Sequence, residues 1–398
     1  MNFIFLSPTF PKTYYHFCQE LKNNGVNVLG IAEDYYDNLS WDLKNSLTEY
    51  YRVDSMENYD NVYRAVAYFA SKYGKIDFVE SNNEYWLELE ARLRSDFNIK
   101  TGKKEDEILY FKSKEAMKED YKKANVKTAR YHIPTTYEEG LKFVSKVGYP
   151  VIVKPDNGVG AYATYKINNE EELKKFYFEN FPPIKYIMEE FIIGDLISFD
   201  GVTNGDAEVV FCTNEVFPLP VMNIVNERLD CNYYSNKEMP KDLLEQGKRV
   251  LKAFGARYRY FHLEFFRLTQ DKEGLGKKGD LLGLEVNMRC PGGYTPDIIN
   301  YSKSVNTYKI WADALTFNIQ NEVISSNPSY CAYYGRRDGK WYSHSHDDIW
   351  NKYGSKIKMN ERMPDILSGA MGNEFFVANF DSKEEMEEFF AYCAKVNF

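Results

Sequence analysis

Apolar and polar positions along the first eighty residues separate short strand-like runs from longer helical stretches. Residues 2–6 (NFIFL) form an apolar run, a helix-like stretch follows near 13–24, and a second apolar run covers 26–31. A third helical stretch, Asn58 to Tyr73, leads into the run Ile76–Glu80. Short runs alternating with helices of this length predict a parallel sheet. Further on, Ser113 followed by acidic and small residues reads as an N-cap, opening a helix that runs to about Ala124 and stops at Asn125. A helix over 136–147 ends at Gly148 and precedes the strand-like YPVIVK. Strands and helices then alternate to about residue 320. The stretch 214–242, rich in Asn, Pro and Glu, reads as an irregular connection long enough to be a lid or substrate loop. KEGLGKKGD at 272–280 reads as a hairpin or loop. Near the end, a strand is expected at Glu374–Ala378 and an acidic helix from Ser382, with Glu385 three residues on.

At 398 residues the chain has room for two to three domains. The formal net charge of -9 argues against a nucleic-acid or anionic-membrane partner, either of which would reward a basic surface. No apolar stretch approaches a membrane span, and the start lacks the positive segment and long apolar core of a signal peptide. The six cysteines are scattered without a C-x-x-C pair, which suggests neither a zinc site nor a disulfide framework. Together these features predict a soluble cytoplasmic protein. SPTFP follows the first strand where a dinucleotide site would place G-x-G-x-x-G, and no G-x-x-x-x-G-K-[ST] occurs. A nucleotide, if one binds, is held by another architecture.

Four separated elements carry candidate chemistry. Lys114 stands at the start of FKSKEAMKEDYKKANV. In YPVIVKPDNGVGAYATYKI, Lys154 ends a strand-like run and a turn containing Gly158 and Gly160 leads into the next. YIMEEFIIGD is an apolar run ending in the paired acids Glu189 and Glu190. YFHLEFFRL and LLGLEVNMRCPGG bring forward Glu264, Glu285, Asn287 and Arg289. Two lysines from different elements suit a polyphosphate, and a glycine turn allows close backbone approach to it. Mg2+ prefers oxygen donors, and Glu285 and Asn287, two apart on a strand, share a face. Arg289 is next on that face and suits charge at a transferring phosphoryl group. The apolar run Ile187–Ile192 suits an adenine ring. His262 fits a supporting or structural role; His344, His346 and Asp347 read as an exposed polar patch.

The order of these motifs resembles the ATP-grasp superfamily, which includes biotin carboxylase, D-alanine–D-alanine ligase and L-amino-acid ligases. The resemblance covers residues 105–300 in motif detail. It implies an α/β and α+β chain. An N-terminal Rossmann-like parallel-sheet domain (1–105) is followed by an ATP-grasp fold (106–320), in which two α+β subdomains clasp ATP, a small lid subdomain (106–190) and a large catalytic one (191–320). A small C-terminal α+β extension (321–398) completes the chain. It also implies that Lys114, Lys154, Gly158 and Gly160 meet the phosphates, that Glu189, Glu190, Phe191 and Ile192 form the adenine hinge, and that Glu264, Glu285 and Asn287 ligate Mg2+ or Mn2+. Lys154 and Arg289 are the implied catalytic cations. Members commonly carry a ribose-binding carboxylate two residues after the hinge glycine; Leu196 stands there, and Asp195 is the nearest acid. The usual Asn-Pro-Arg is Asn-Met-Arg here. The implied activity is an ADP-forming ligase that activates a small carboxylate, such as an amino acid, as an acyl phosphate and couples it to an amine. Bicarbonate activation of the carboxylase or carbamoyl-phosphate type, and ATP binding without turnover, are the alternatives. A homodimer stays open.

Overall fold

The computed structural model describes residues 1–158, 163–179 and 184–397. The first strands are β1 (Asn2–Leu6), β2 (Asn27–Ala32), β3 (Glu49–Arg52) and β4 (Phe78–Glu80), and they form a parallel sheet in the order β3-β2-β1-β4. Its central strands are buried on both faces, as a sheet covered by helices on each side requires. On one face Phe3 and Phe5 pack with Phe17 and Leu21; on the other Ile4 and Leu6 pack with Val62, Val66 and Phe69. Trp311, from the helix Thr307–Phe317, closes the first face, its ring edge-on to Phe3 at 5.6 Å and to Phe5 at 6.4 Å. Residues more than 300 positions later thus complete the N-terminal core.

A small antiparallel sheet follows, made of β5 (Tyr131–His132), β6 (Val151–Pro155), β7 (Tyr165–Ile167) and β8 (Tyr186–Glu190) in the order β5-β8-β6-β7. The helix Lys114–Lys123 precedes it. As expected, Ser113 caps that helix, its hydroxyl accepting from the Ala116 N–H, and Asn125 lies in the left-handed region just beyond its end. Thr136 caps the next helix, Tyr137–Val147, and Gly148 (φ 79°) ends it.

The third sheet has nine strands among the described residues: β9 (Gly194–Thr203), β10 (Val209–Thr213), β11 (Glu215–Phe217), β12 (Cys231–Ser235), β13 (Arg259–Leu268), β14 (Leu281–Asn287), β15 (Tyr330–Arg336), β16 (Ile357–Arg362) and β17 (Glu374–Phe380). Their order is β14-β13-β9-β11-β12-β15-β17-β16, with β10 paired to β9 outside that path. The expectation of an irregular 214–242 stretch is corrected here. It contains β11, the short helix Val221–Asn226 and β12, which fill the middle of the sheet between β9 and β15. A three-residue strand leaves too little alternation to read, and its backbone partners lie far away in sequence. The strands after residue 320 continue this sheet through the β12–β15 pairing. The helix Lys383–Ala394 packs on them, with Ser382 accepting from Glu385 N–H as the sequence suggested. Among the described residues no helix is long and apolar enough to cross a membrane.

Because Trp311 joins the helix of one region to the sheet of another, Trp311→Ala should destabilise the chain by about 3–5 kcal/mol, the usual cost of emptying a large aromatic site. Urea unfolding followed by circular dichroism would measure it, and a loss well below that range would show that the two regions do not share this core.

Candidate active site

Between the small sheet and the β14-β13-β9 end of the large one lies a cavity of about 460 Å³. Its walls include Lys154, Glu189, Glu190, Phe191 and Ile192 from the small-sheet side, and Glu264, Glu285, Asn287 and Arg289 from β13, β14 and the residues that follow. Strand register accounts for this grouping. In the antiparallel β13–β14 pair Glu264 lies opposite Glu285 and His262 opposite Asn287, so all four side chains share one face. Arg289, just past β14, points Nη2 to Asn287 Oδ1 at 3.4 Å and Nε to Glu84 Oε2 at 3.2 Å. Glu84 comes from the turn that follows β4 of the parallel sheet, which thereby helps to hold the arginine.

Close packing brings the first lysine in. Tyr121, one face of the helix Lys114–Lys123, lies against Gly283 of β14, where any Cβ would sit 2.2 Å from the ring. That approach places Lys114 Nζ 3.0 Å from Glu285 Oε1 and 3.1 Å from the Gly158 carbonyl. Lys154, on β6, reaches Glu189 Oε2 at 2.6 Å. Glu189 and Glu190, adjacent on β8, point to opposite sides. Glu189 meets Lys118 and Lys154, while Glu190 holds Arg130 in two bonds of 2.6 and 2.7 Å and Lys272, from the 272–280 hairpin, at 2.8 Å.

Burial alone would raise the Glu189 carboxyl, but Lys118 and Lys154 overcome it and hold the group down at about 2. Burial likewise opposes the charge on Lys154, yet Glu189, Glu285 and Glu264 raise it. Glu264 is also held below its ordinary range; burial works against this, and His262, Arg289 and Lys154 outweigh it. Burial disfavours the His262 cation, but Asp200 and Glu264 push it up to about 10. Glu189 and Glu264 are therefore held in their charged form by the cations gathered around them.

The donor set fits a divalent cation. Among the described residues no group of three or more His, Cys, Asp or Glu is placed to hold a metal. Two carboxylates and an amide form a thinner set, but it suits Mg2+, which keeps several waters and takes the remaining oxygens from phosphates. Placing two carboxylates directly opposite each other is unfavourable unless a cation lies between or beside them.

Most of the candidate positions converge: Lys154, Glu189–Ile192, Glu264, Glu285, Asn287 and Arg289 line the cavity, and Lys114 joins them through Glu285 and the Gly158 carbonyl. Asp195, expected among the nucleotide contacts, is exposed and lies opposite Arg267 in the β9–β13 register; strand alternation turns Leu196 to the cavity instead. Gly160 lies outside the described residues. Lys118, Glu84 and Asp200 were not anticipated. Lys118 was accessible from spacing, being one turn beyond Lys114, and Asp200 from the Ser-x-Asp alternation in an apolar strand. Nothing in the sequence ties Glu84 to Arg289. His346 contacts Glu374 at 2.7 Å and His344 stacks on Tyr392, both away from the cavity.

Residues 119–253 match the family model of the ATP-grasp domain. Over these residues the chain carries an ATP-grasp domain. Over 322 residues it is 24% identical to the L-arginine-specific L-amino acid ligase of Bacillus subtilis, covering 77% of this chain and 72% of that protein. Over 199 residues it is 28% identical to D-alanine–D-alanine ligase B of Clostridium perfringens, covering 49% of this chain and 56% of that protein. The crystal structure of an L-amino acid ligase from Bacillus licheniformis superposes with a TM-score of 0.70 at 17% identity, across 98% of this chain and 96% of that one. The likeness in fold thus runs well beyond the matched segment.

The depressed Glu189 carboxyl gives a pH test. A carboxyl lowered on folding stabilises above its unfolded pKa of about 4.3, and that contribution is lost as pH falls toward its folded value of about 2. Ligand-free protein should therefore lose stability steeply between about pH 5 and pH 2. Glu189→Gln should be less stable at neutral pH, with Lys118 and Lys154 left unpaired, and its stability should depend less on pH across that window. Parallel slopes for the two proteins in urea unfolding would contradict the assignment.

Proposed function

We propose that the chain is an ATP-dependent carboxylate–amine ligase that forms an amide with release of ADP and phosphate. The observation that carries this reading is the gathering of Lys154, Glu264, Glu285, Asn287 and Arg289 around one cavity, with Lys114 paired to Glu285 from a stretch 175 residues before Arg289. In this reading residues 1–105 form the N-terminal domain, 106–320 grasp the nucleotide and 321–398 extend the large sheet. The relatives' names support a small carboxylic acid, an amino acid in particular, as the group activated, and bicarbonate is the less favoured acid.

ATP lies with its adenine along Glu189–Ile192 and its phosphates toward Lys114, Lys154 and the Gly158 turn. Glu264, Glu285 and Asn287 would hold Mg2+, with Mn2+ as a substitute, and such an ion screens phosphate charge and aligns the phosphate oxygens. A carboxylate oxygen of the acid attacks the γ-phosphorus while the bond from that phosphorus to the bridging oxygen breaks, giving an acyl phosphate and ADP. Lys154 and Arg289 stabilise the negative charge spread over the transferring group. The amine lone pair then attacks the acyl carbon, the C–O bond to phosphate breaks, and the nitrogen gives up a proton. The walls of the cleft keep water from the acyl phosphate. The six unpaired cysteines accord with a reducing compartment, and we place the enzyme in the cytoplasm.

Phosphate release assayed over a matrix of acids and amines tests the reading, with mass detection of the product. Release that requires both an acid and an amine is expected; turnover indifferent to every acid and amine would refute it. Arg289→Ala should lower kcat by about 10²–10³-fold, the usual loss on removing a preorganised electrostatic donor. Glu285→Ala should abolish turnover and weaken ATP binding only when the divalent cation is present.

A further inference from the structure

A buried chain of polar groups runs across three strands and ends on Glu264. On β11 the Glu215 backbone N–H donates to Ser198 Oγ at 3.0 Å, and the Ser198 hydroxyl donates to Asp200 Oδ2. Asp200 Oδ1 lies 2.5 Å from His262 Nδ1, and His262 Nε2 lies 3.1 Å from Glu264 Oε1. Ser198 and Asp200 are fully buried and His262 nearly so. Register builds the chain: β9 places Asp200 opposite His262 and Ser198 opposite Glu264 in β13. The Phe217 ring stands edge-on to the imidazole, centroids 6.4 Å apart, and restricts its rotation from the β11 side.

Each link has a directional consequence. Both Asp200 oxygens are occupied within the chain, one by Ser198 and one by His262, so this carboxylate has a fixed orientation. It fixes the imidazole in turn, and the imidazole holds Oε1 of Glu264. Without that hold, Glu264 faces Glu285 directly across the strand pair, and like charge favours rotamers that carry its carboxylate away. A carboxylate–imidazole pair that orients a metal-binding side chain is a recurrent device, and loss of such an outer partner weakens metal binding without removing a ligand.

We propose that Asp200 is a positioning residue for the divalent-cation site, acting through His262 to hold Glu264 in the rotamer that presents its second oxygen to the cavity. Asp200 touches neither substrate nor metal in this assignment. The inference rests on the metal reading of Glu264 given above. It extends the functional residues to β9, a strand whose cavity-lining positions, Gly194 and Leu196, carry no polar side chain.

The test uses the full chain with ADP, titrated with Mn2+ and read by the electron paramagnetic resonance spectrum of the protein-bound ion. Asp200→Asn should weaken Mn2+ binding about tenfold to a hundredfold and alter the bound-ion spectrum, while ADP affinity measured without metal stays unchanged. In steady state the Mg2+ concentration for half-maximal rate should rise in step, with the rate largely recovered at high Mg2+. A merely structural role would lower the unfolding midpoint and weaken metal-free ADP binding as well. Glu264→Gln is the reference variant. If it weakens Mn2+ binding while Asp200→Asn does not, the positioning role is overturned. If Glu264→Gln itself binds Mn2+ as the parent does, the metal reading fails and this inference goes with it. Should Asp200→Asn fail to fold, Ser198→Ala carries the test, since it removes one anchor of Asp200 at almost constant volume. Weaker Mn2+ binding in that variant supports the proposal, and unchanged binding overturns it.

Discussion

Two carboxylates held face to face are the constraint around which this chain is organised. The β13–β14 register leaves Glu264 and Glu285 opposite each other at a partly buried cavity wall, where their repulsion is less screened than in water. The surrounding structure supplies the compensation. Lys114 comes from the helix before the small sheet, Lys154 from the small sheet itself, Arg289 from the end of β14 and His262 from the same strand as Glu264. The cleft is thus an arrangement of charges that only a folded chain can bring into balance. In the ligand-free protein the balance is internal, with Lys114 on Glu285 and Lys154 on Glu189. In the proposed nucleotide complex the lysines turn to phosphate and the carboxylates to the cation.

The N-terminal parallel sheet takes part in this balance. Glu84 lies on Arg289, and beneath it Glu80 and Glu90 share Arg94 and Arg259 in a buried cluster, with Arg94 at 2.9 Å from Glu80 and 2.8 Å from Glu90. Arg259 opens β13, so the strand bearing His262 and Glu264 is tied at its root to β4 and its flanking helix. Buried ion pairs contribute little net stability against a well-packed apolar alternative, but removing one member leaves a charge stranded. Their effect here is to fix where β13 starts relative to the N-terminal sheet, while the Trp311 contact fixes the same relation through apolar packing.

Local features of the fold were legible because local chemistry decides them. Ser113 and Ser382 each bond the third backbone N–H of the helix they cap, and such caps need nothing beyond four residues of sequence. The parallel N-terminal sheet followed from apolar runs spaced by helices. The site was legible in part. Lys114, Lys154, Glu264, Glu285, Asn287 and Arg289 carry chemistry suited to a metal-bound polyphosphate, and their order along the chain resembled a known arrangement. The stretch 214–242 was not legible: β11 is too short to show a period, and it is a strand only because β9 and β12 offer it partners. Asp195 lies off the cavity wall because one residue of strand alternation, from Leu196, sends it to the other face.

The sequence by itself determined the caps, the alternating runs and the inventory of charged groups, since each depends on neighbours within a turn or a strand. Only the tertiary structure decided that Glu264 would face Glu285, that Glu84 would meet Arg289, and that Asp200 would reach Glu264 through an imidazole. Those relations depend on register between strands that are distant in the chain, and register is set by the packing of whole sheets.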